Sequence, residues 1–226
     1  MAESSTRTVE RALNLLAVIC DQSKLNLSEA SRAVDLSPST ALRLLRTLEA
    51  SGFVHKDPDG TYGPGSRLIQ LGAQSLSNES LITLCRAEME ELVEQTGESV
   101  YLSVQAHRAT ALYIAIVEGT HSVRHSSWVG RVIPMDSSAS GHVLAGQTPA
   151  EGYVALEHGI ETDVTAIAAP IHSEHRVVAS MSIVVPSYRV HATDVARFGA
   201  ALVAATSRVS AGLSRQADVT IAGGFA

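Results

Sequence analysis

The sequence predicts an α+β protein in two parts: a small helical unit closed by a β-hairpin, then a larger unit whose strands are bracketed by helices. Three observations carry this reading. Apolar residues recur at helical spacing through the first 50 residues and are punctuated by capping residues. Residues 53–63 alternate about Asp57-Pro58-Asp59-Gly60, a strong turn signal. Beyond residue 98, runs of β character alternate with turns, and helical spacing returns only near residue 193.

The elements follow in order. Val9, Ala12, Leu13 and Leu16 mark the buried face of a first helix, with Leu15, Val18 and Ile19 beside it. Ser28, with Glu29 in the first turn and Ser31 three on, starts a second. Its buried stripe is Ala30, Ala33 and Val34. Ser37 caps a third helix, and Pro38 takes the first position, where a missing N–H costs nothing. Ala41, Leu44, Leu45 and Leu48 form its inner face, and Gly52 ends it. Phe53–Lys56 and Thr61–Gly63 are the arms of the hairpin. Gly65–Leu76 reads as a further helix with Leu68, Leu71 and Leu76 near one side.

In the second part a helix runs from Ser80 to Gly97, burying Ile82, Cys85, Met89, Leu92 and Val93. Strands are expected at Ser99–Val104, Ala111–Val117, Ser122–Val129, Val164–Pro170 and Val177–Val185. Thr193 caps the last helix, which buries Val195, Phe198, Leu202, Ala205 and Val209. Helices before and after a set of strands suit a central antiparallel sheet.

Composition narrows the classes. The 226 residues are 45 % hydrophobic and 18 % charged, which is ordinary for a folded chain and excludes a disordered one. Two cysteines, Cys20 and Cys85, exclude a disulfide framework. The longest charge-free apolar stretch, Ala109–Val117, falls well short of the ~20 residues of a membrane helix, and the first residues lack an apolar signal core. A cytoplasmic location is the expectation. The formal charge of −6 argues at first against a nucleic-acid partner, but it is unevenly spread. Residues 1–78 carry eight basic and eight acidic side chains; the nine basic and fifteen acidic residues beyond hold the whole excess.

The outer face of the third helix is informative. Ser39, Thr40, Arg43, Arg46 and Thr47 oppose the apolar stripe. Two short helices joined by a tight turn, the second with a hydroxyl-rich start and outward arginines, describe a helix-turn-helix. The bland alternative is the solvated face of a three-helix bundle. The hairpin that follows decides for a winged helix and hence for DNA, because Lys56 and the turn would lie along the sugar–phosphate backbone. The expected DNA contacts are Ser37, Ser39, Thr40, Arg43, Arg46, Lys56 and Thr61.

These stretches, in this order, resemble the IclR family of bacterial transcriptional regulators. They are Val9–Leu16, Leu36–Glu49, the wing Gly52–Tyr62, Gly65–Gly72, Thr96–Ser103, Ile133–Gly141, Ile167–Pro170 and Arg176–Pro186. The likeness runs from Arg7 to Leu213. It implies a winged helix-turn-helix over 1–64, a linker helix over 65–78, a GAF-like effector-binding domain over 79–216 and a tail over 217–226. It also implies homodimers through the DNA-binding part, in some members paired into tetramers, a double-stranded DNA operator and a small-molecule effector. No cofactor and no membrane partner are implied.

Ser137-Ser138-Ala139-Ser140-Gly141 is the best candidate for a ligand loop, since small residues let a ligand approach the backbone and a helix start offers N–H groups to a carboxylate. By the resemblance, the pocket comprises Val123, His125, Ala139, Ser140, Ala166, Ser182 and Val184. The sequence also departs from the family. Ala166 stands where a Cys is common, Val184 where a second Ser is common, and His142 where a Lys is usual. The acidic pair becomes Leu156 and Glu157, and the 145–152 segment is short. An apolar or aromatic carboxylate held by Ser140, Ser182 and His125 is therefore expected rather than a small keto acid.

Two rival readings use the same part of the chain. An enzyme would draw on Ser138, Ser140 and His142, yet no Gly-x-Ser-x-Gly elbow is present, and the one cysteine there, Cys85, lies on an apolar helix face. A metal sensor would draw on His172, Glu174 and His175, which read more simply as solvated turn residues. His121 and His125 are expected on one strand face. Trp128 is expected in the core, and Tyr101 and Tyr113 in core or pocket wall.

Overall fold

The computed structural model describes residues 6–77, 80–107, 109–174 and 176–222. The chain divides into two compact units, Met1–Asn78 and Glu79–Ala226.

The first unit contains α1 (Arg7–Gln22), α2 (Leu27–Ala33), α3 (Pro38–Ala50), β1 (Val54–Lys56), β2 (Tyr62–Pro64) and α4 (Ser66–Ser77). Leu15 and Ile19 of α1, Ala30 of α2, and Leu44 and Leu45 of α3 close a core with Leu25, Val54 and Tyr62. The wing has a third contributor: Leu25 and Tyr62 exchange both backbone hydrogen bonds, at 3.1 and 2.8 Å. Gly65 turns the chain from wing to α4. A Cβ there would lie 2.1 Å from the Gly52 carbonyl oxygen, so no other residue fits.

Two helical expectations change. α2 is capped by Asn26, not Ser28: the Asn26 side chain accepts the Glu29 N–H at 3.0 Å while Glu29 accepts the Asn26 N–H at 2.9 Å. This reciprocal box satisfies two end donors, so it wins over a lone serine. Ala33 of the expected stripe is exposed and Val34 only half-buried. On α1 the buried ridge is Leu15–Ile19. Val9 and Leu13 are 54 % and 58 % exposed. The apolar stripe is wider than the face that α2 and α3 cover.

The second unit is a six-stranded antiparallel sheet in the order β5-β4-β3-β8-β7-β6. Its strands are β3 (Ser99–Gln105), β4 (Thr110–Val117), β5 (Val132–Pro134), β6 (Val154–Glu157), β7 (Val164–Ser173) and β8 (Arg176–Pro186). α5 (Ser80–Thr96) and α7 (Ala192–Ala222) cover one face, where Cys85, Met89 and Leu92 meet Met181, Ile183, Phe198 and Leu202. Burial, with Glu88 adding, pushes the Cys85 thiol up to about 12, so it stays protonated at neutral pH. Tyr101, Tyr113 and Val184 line the opposite face, which carries the short α6 (Ala139–Leu144).

Four details differ from expectation. Ser122–Val129 forms no strand. Gly119 and Gly130 flank it, Gly130 at φ +87°, and the edge of β4 is taken at Thr110–Leu112 by β5. β6 is an added edge strand. α7 starts at Ala192 rather than at a Thr193 cap, because Asp194 accepts the His191 N–H at 3.2 Å and the His191 carbonyl accepts from Val195 at 3.0 Å. α7 also continues to Ala222, into the expected tail; 223–226, Asn78 at the expected linker boundary and His175 lie outside the described residues.

Candidate functional site

On the first unit, Ser37 builds the start of α3. Its hydroxyl accepts the Thr40 N–H at 3.4 Å and donates to the Thr40 hydroxyl at 2.9 Å. These two residues are thus engaged in the cap. Ser39, Arg43, Arg46 and Thr47 line one shallow groove on the outer face. Both arginines are exposed, and among the described residues neither has an ion-pair partner. On the wing, Lys56 lies over the Tyr62 ring at 5.6 Å. The Thr61 hydroxyl donates to Asp59 at 2.6 Å, which shapes the turn. Lys24 reaches Asp57 at 2.8 Å and ties the wing to the α1–α2 turn. The structure therefore separates the expected set: Ser39, Arg43 and Arg46 converge, Ser37 and Thr40 form the helix cap, and Lys56 and Thr61 sit on the wing.

On the second unit, a partly enclosed cavity opens between α6, β7, β8 and the 118–131 segment. Five of the seven expected effector residues line it: His125, Ala139, Ser140, Ala166 and Val184. Ser182 does not. It is fully buried beside Tyr101 in register, and its hydroxyl has no hydrogen-bond partner among the described residues. Val123 is 61 % exposed and stands outside, because the expected strand that would have turned it inward is absent. Sequence reasoning missed Glu161 and Ile160 and expected Trp128 in the core; all three line the cavity, as does Tyr113. Nothing local in sequence marks Glu161, whose partner is 36 residues away.

The centre of the site is His125, whose side chain is 10 % exposed. Its Nδ1 lies 2.7 Å from the Tyr101 hydroxyl, and its Nε2 lies 2.8 Å from a Glu161 carboxylate oxygen. The protons can be placed by inventory. Tyr101 donates to the Ser126 carbonyl at 2.5 Å, because that oxygen can only accept. Its own oxygen then receives the Nδ1–H of His125. One further proton lies on the line between Nε2 and Glu161. His125 also stands edge-on to Tyr101, with ring centroids 5.4 Å apart, and to Trp128, at 4.9 Å. Burial raises both phenols, with the Glu161 charge adding at Tyr113, which is pushed up to about 12. Both therefore act as neutral donors. No hydrogen bond reaches the Tyr113 or Ser140 hydroxyl among the described residues, so both are available to a ligand.

The residues of the rival readings are placed differently. Ser138 donates to the Pro134 carbonyl at 2.6 Å and caps α6, while His142 pairs with the Asp136 carbonyl at 2.9 Å. The two are joined only through the backbone, by the His142 N–H to the Ser138 carbonyl at 3.0 Å, with no bond between their side chains among the described residues, and no group of three His, Cys, Asp or Glu there suits a metal ion.

A winged helix-turn-helix unit joined to an antiparallel domain with an apolar, polar-tipped pocket defines a DNA-binding transcription factor. The chain matches the IclR helix-turn-helix domain over 8–58 and the bacterial transcriptional regulator IclR C-terminal domain over 73–158 and 145–211. It belongs to the IclR family of bacterial transcriptional regulators. It is 26 % identical to the HTH-type transcriptional regulator XynR of Escherichia coli, over 85 % of this chain and 91 % of that one. It is 31 % identical to the glycerol operon regulatory protein of Streptomyces coelicolor, over 67 % of this chain and 60 % of the relative. An IclR homolog from Microbacterium hydrocarbonoxydans, solved in complex with 4-hydroxybenzoate, shares the fold, with a TM-score of 0.76 at 23 % identity over 91 % of this chain and 98 % of that one. No helix among the described residues is long and apolar enough to cross a membrane.

Proposed function

We propose that this regulator binds a near-palindromic operator as a homodimer and releases or rearranges on it when a small aromatic carboxylate enters the second unit. Ser39, Arg43 and Arg46 meet base edges in the major groove, while Ser37, Thr40, Lys56 and Thr61 place the helix and wing against phosphates. The convergence of two unpaired arginines on one outer face supports this assignment.

The observation that carries the effector reading is the makeup of the cavity. Its wall is mostly apolar, with Trp128, Val164 and Val184, and its polar groups include the Tyr113 and Ser140 hydroxyls, the His125 imidazole and the Glu161 carboxylate. That set suits a flat apolar body with one carboxylate. The 4-hydroxybenzoate complex of a relative with this fold adds support. Dimerisation is supported by apolar side chains left exposed on helices of the first unit, Val9 and Leu13 on α1 and Ile69 on α4. Pairing two winged units would set the spacing of two half-sites.

A gel-shift titration on DNA upstream of the gene, with and without benzoate and 4-hydroxybenzoate, tests the reading. A specific shift whose midpoint moves with either acid is expected. A shift that no aromatic acid alters, but a polar keto acid does, would overturn the effector class.

A further inference from the structure

Two carboxylates of the second unit, Glu98 and Glu161, are paired with basic side chains in different ways. Glu98 is 3 % exposed and is held by two N–H···O bonds from Arg189, both 2.7 Å. That pair is built to stay. Glu161 is 37 % exposed and hangs on the irregular 158–163 connection between β6 and β7. One of its oxygens meets His125 Nε2; the other has no hydrogen-bond partner among the described residues. His125 does not depend on it, since Tyr101 holds Nδ1 and the Tyr101 and Trp128 rings flank the imidazole.

The cavity wall contains no Arg or Lys among its lining residues. His125 is therefore the one basic side chain the wall offers a carboxylate, and Glu161 occupies its Nε2. Glu161 and His125 also line a second, outer depression with Arg124, Asp163 and Tyr188. The pair stands as a partition between the inner cavity and that outer space.

We propose that Glu161 is a resident stand-in for the ligand's carboxylate: the effector binds by displacing Glu161 from His125, and the freed 158–163 segment carries the change outward. This rests on the carboxylate reading of the cavity. The exchange conserves charge inside the site, because one carboxylate replaces another on the same N–H, and Glu161 moves toward the water it already partly meets. The segment has a route into the sheet: the Asp163 carbonyl accepts the Ser187 N–H at 2.8 Å, and Thr165 and Ser187 share a hydroxyl hydrogen bond of 2.9 Å at the start of β7. Ser187 opens the turn that carries Arg189. Displacement at Glu161 is thus two contacts away from the Arg189–Glu98 anchor.

Trp128 is the sole tryptophan and touches His125, so its emission reports the site directly. The experiment titrates the full chain with benzoate and with the neutral isostere benzamide, in the wild type, Glu161→Ala and Glu161→Gln. Benzoate affinity should rise about ten-fold or more in Glu161→Ala and in the same direction in Glu161→Gln, while benzamide changes less than about two-fold. Hydrogen exchange of the 158–163 amides in the wild type should speed up when benzoate binds, a readout that needs no variant. Benzoate binding that is unchanged or weaker in both variants, or exchange that slows on binding, overturns the displacement and leaves the carboxylate pocket standing. If neither benzoate nor 4-hydroxybenzoate binds any of the three proteins, the pocket reading and the displacement fall together.

Discussion

Arg189 grips Glu98 across 91 residues of sequence with two parallel hydrogen bonds of 2.7 Å, and its Nη2 also donates to the Val123 carbonyl at 3.0 Å. One side chain thus fastens the turn after β8, the start of β3 and the irregular 118–131 segment. That segment lacks a strand's ladder, so side chains must hold it where His125 and Trp128 reach the cavity.

Arg189→Met should destabilise the second unit by about 3–5 kcal/mol, since it leaves the Glu98 carboxylate buried without its partner. The double variant Glu98→Gln, Arg189→Met should recover part of that loss. Urea unfolding followed through Trp128 measures both.

Tyr101→Phe removes the hydroxyl between His125 and the Ser126 carbonyl. A buried acceptor and a ring N–H lose their partner, at a cost of about 1–3 kcal/mol. The same variant should weaken binding of benzoate, because His125 loses its orienting bond. A change in stability with no change in benzoate affinity would show that the hydroxyl only braces the fold.

Arg43→Ala should weaken operator binding by about 1–3 kcal/mol and relax preference at one base pair if the guanidinium holds a guanine. Lys56→Ala should weaken binding evenly across sequences and flatten the salt dependence. Gel shifts on the operator and single-base variants, at two salt concentrations, separate the roles.

Acid should loosen the wing before the core. Asp57, through its hydrogen bond from Lys24, and Asp59, through those from Thr61, are held below the ordinary carboxylate value of 3.8. Depressed values mean that the wing's stabilisation is complete above the unfolded value and is lost as pH falls through the folded ones. Amide exchange of Gly60 and Thr61 should therefore stay slow at neutral pH and quicken below about 3.8, and Asp57→Asn should remove part of that dependence.

Leu13→Asp should break self-association without unfolding the first unit, as Leu13 is exposed and contributes little to the helical core. Sedimentation should shift from dimer to monomer, and operator affinity should fall with it. A variant that stays dimeric would move the interface elsewhere.

Much of the first unit was legible because its signals are local. Ser37-Pro38 starts α3, Asp57-Pro58-Asp59-Gly60 turns the wing, and a stripe at spacing three and four marks each helix. The misassigned α2 cap shows the limit of one-residue reasoning, since Asn26 wins only with Glu29 reciprocating. In the second unit the long helices and long strands were also legible, while Ser122–Val129 had strand-like residues yet pairs with no strand. Ala139, Ser140, Ala166 and Val184 came from the family resemblance and do line the cavity.

The sequence by itself determined the order of elements in the first unit, the winged unit with Arg43 and Arg46 outward, and the placement of all excess acid in the second part. These follow from periodicity, capping and composition, which act over a few residues. Only the tertiary structure decided that Val9 and Leu13 stay exposed, that Val123 lies outside the cavity and that Glu161 meets His125. Burial and pairing across 36 or 91 residues depend on which surfaces the folded chain brings together, and no local pattern encodes that.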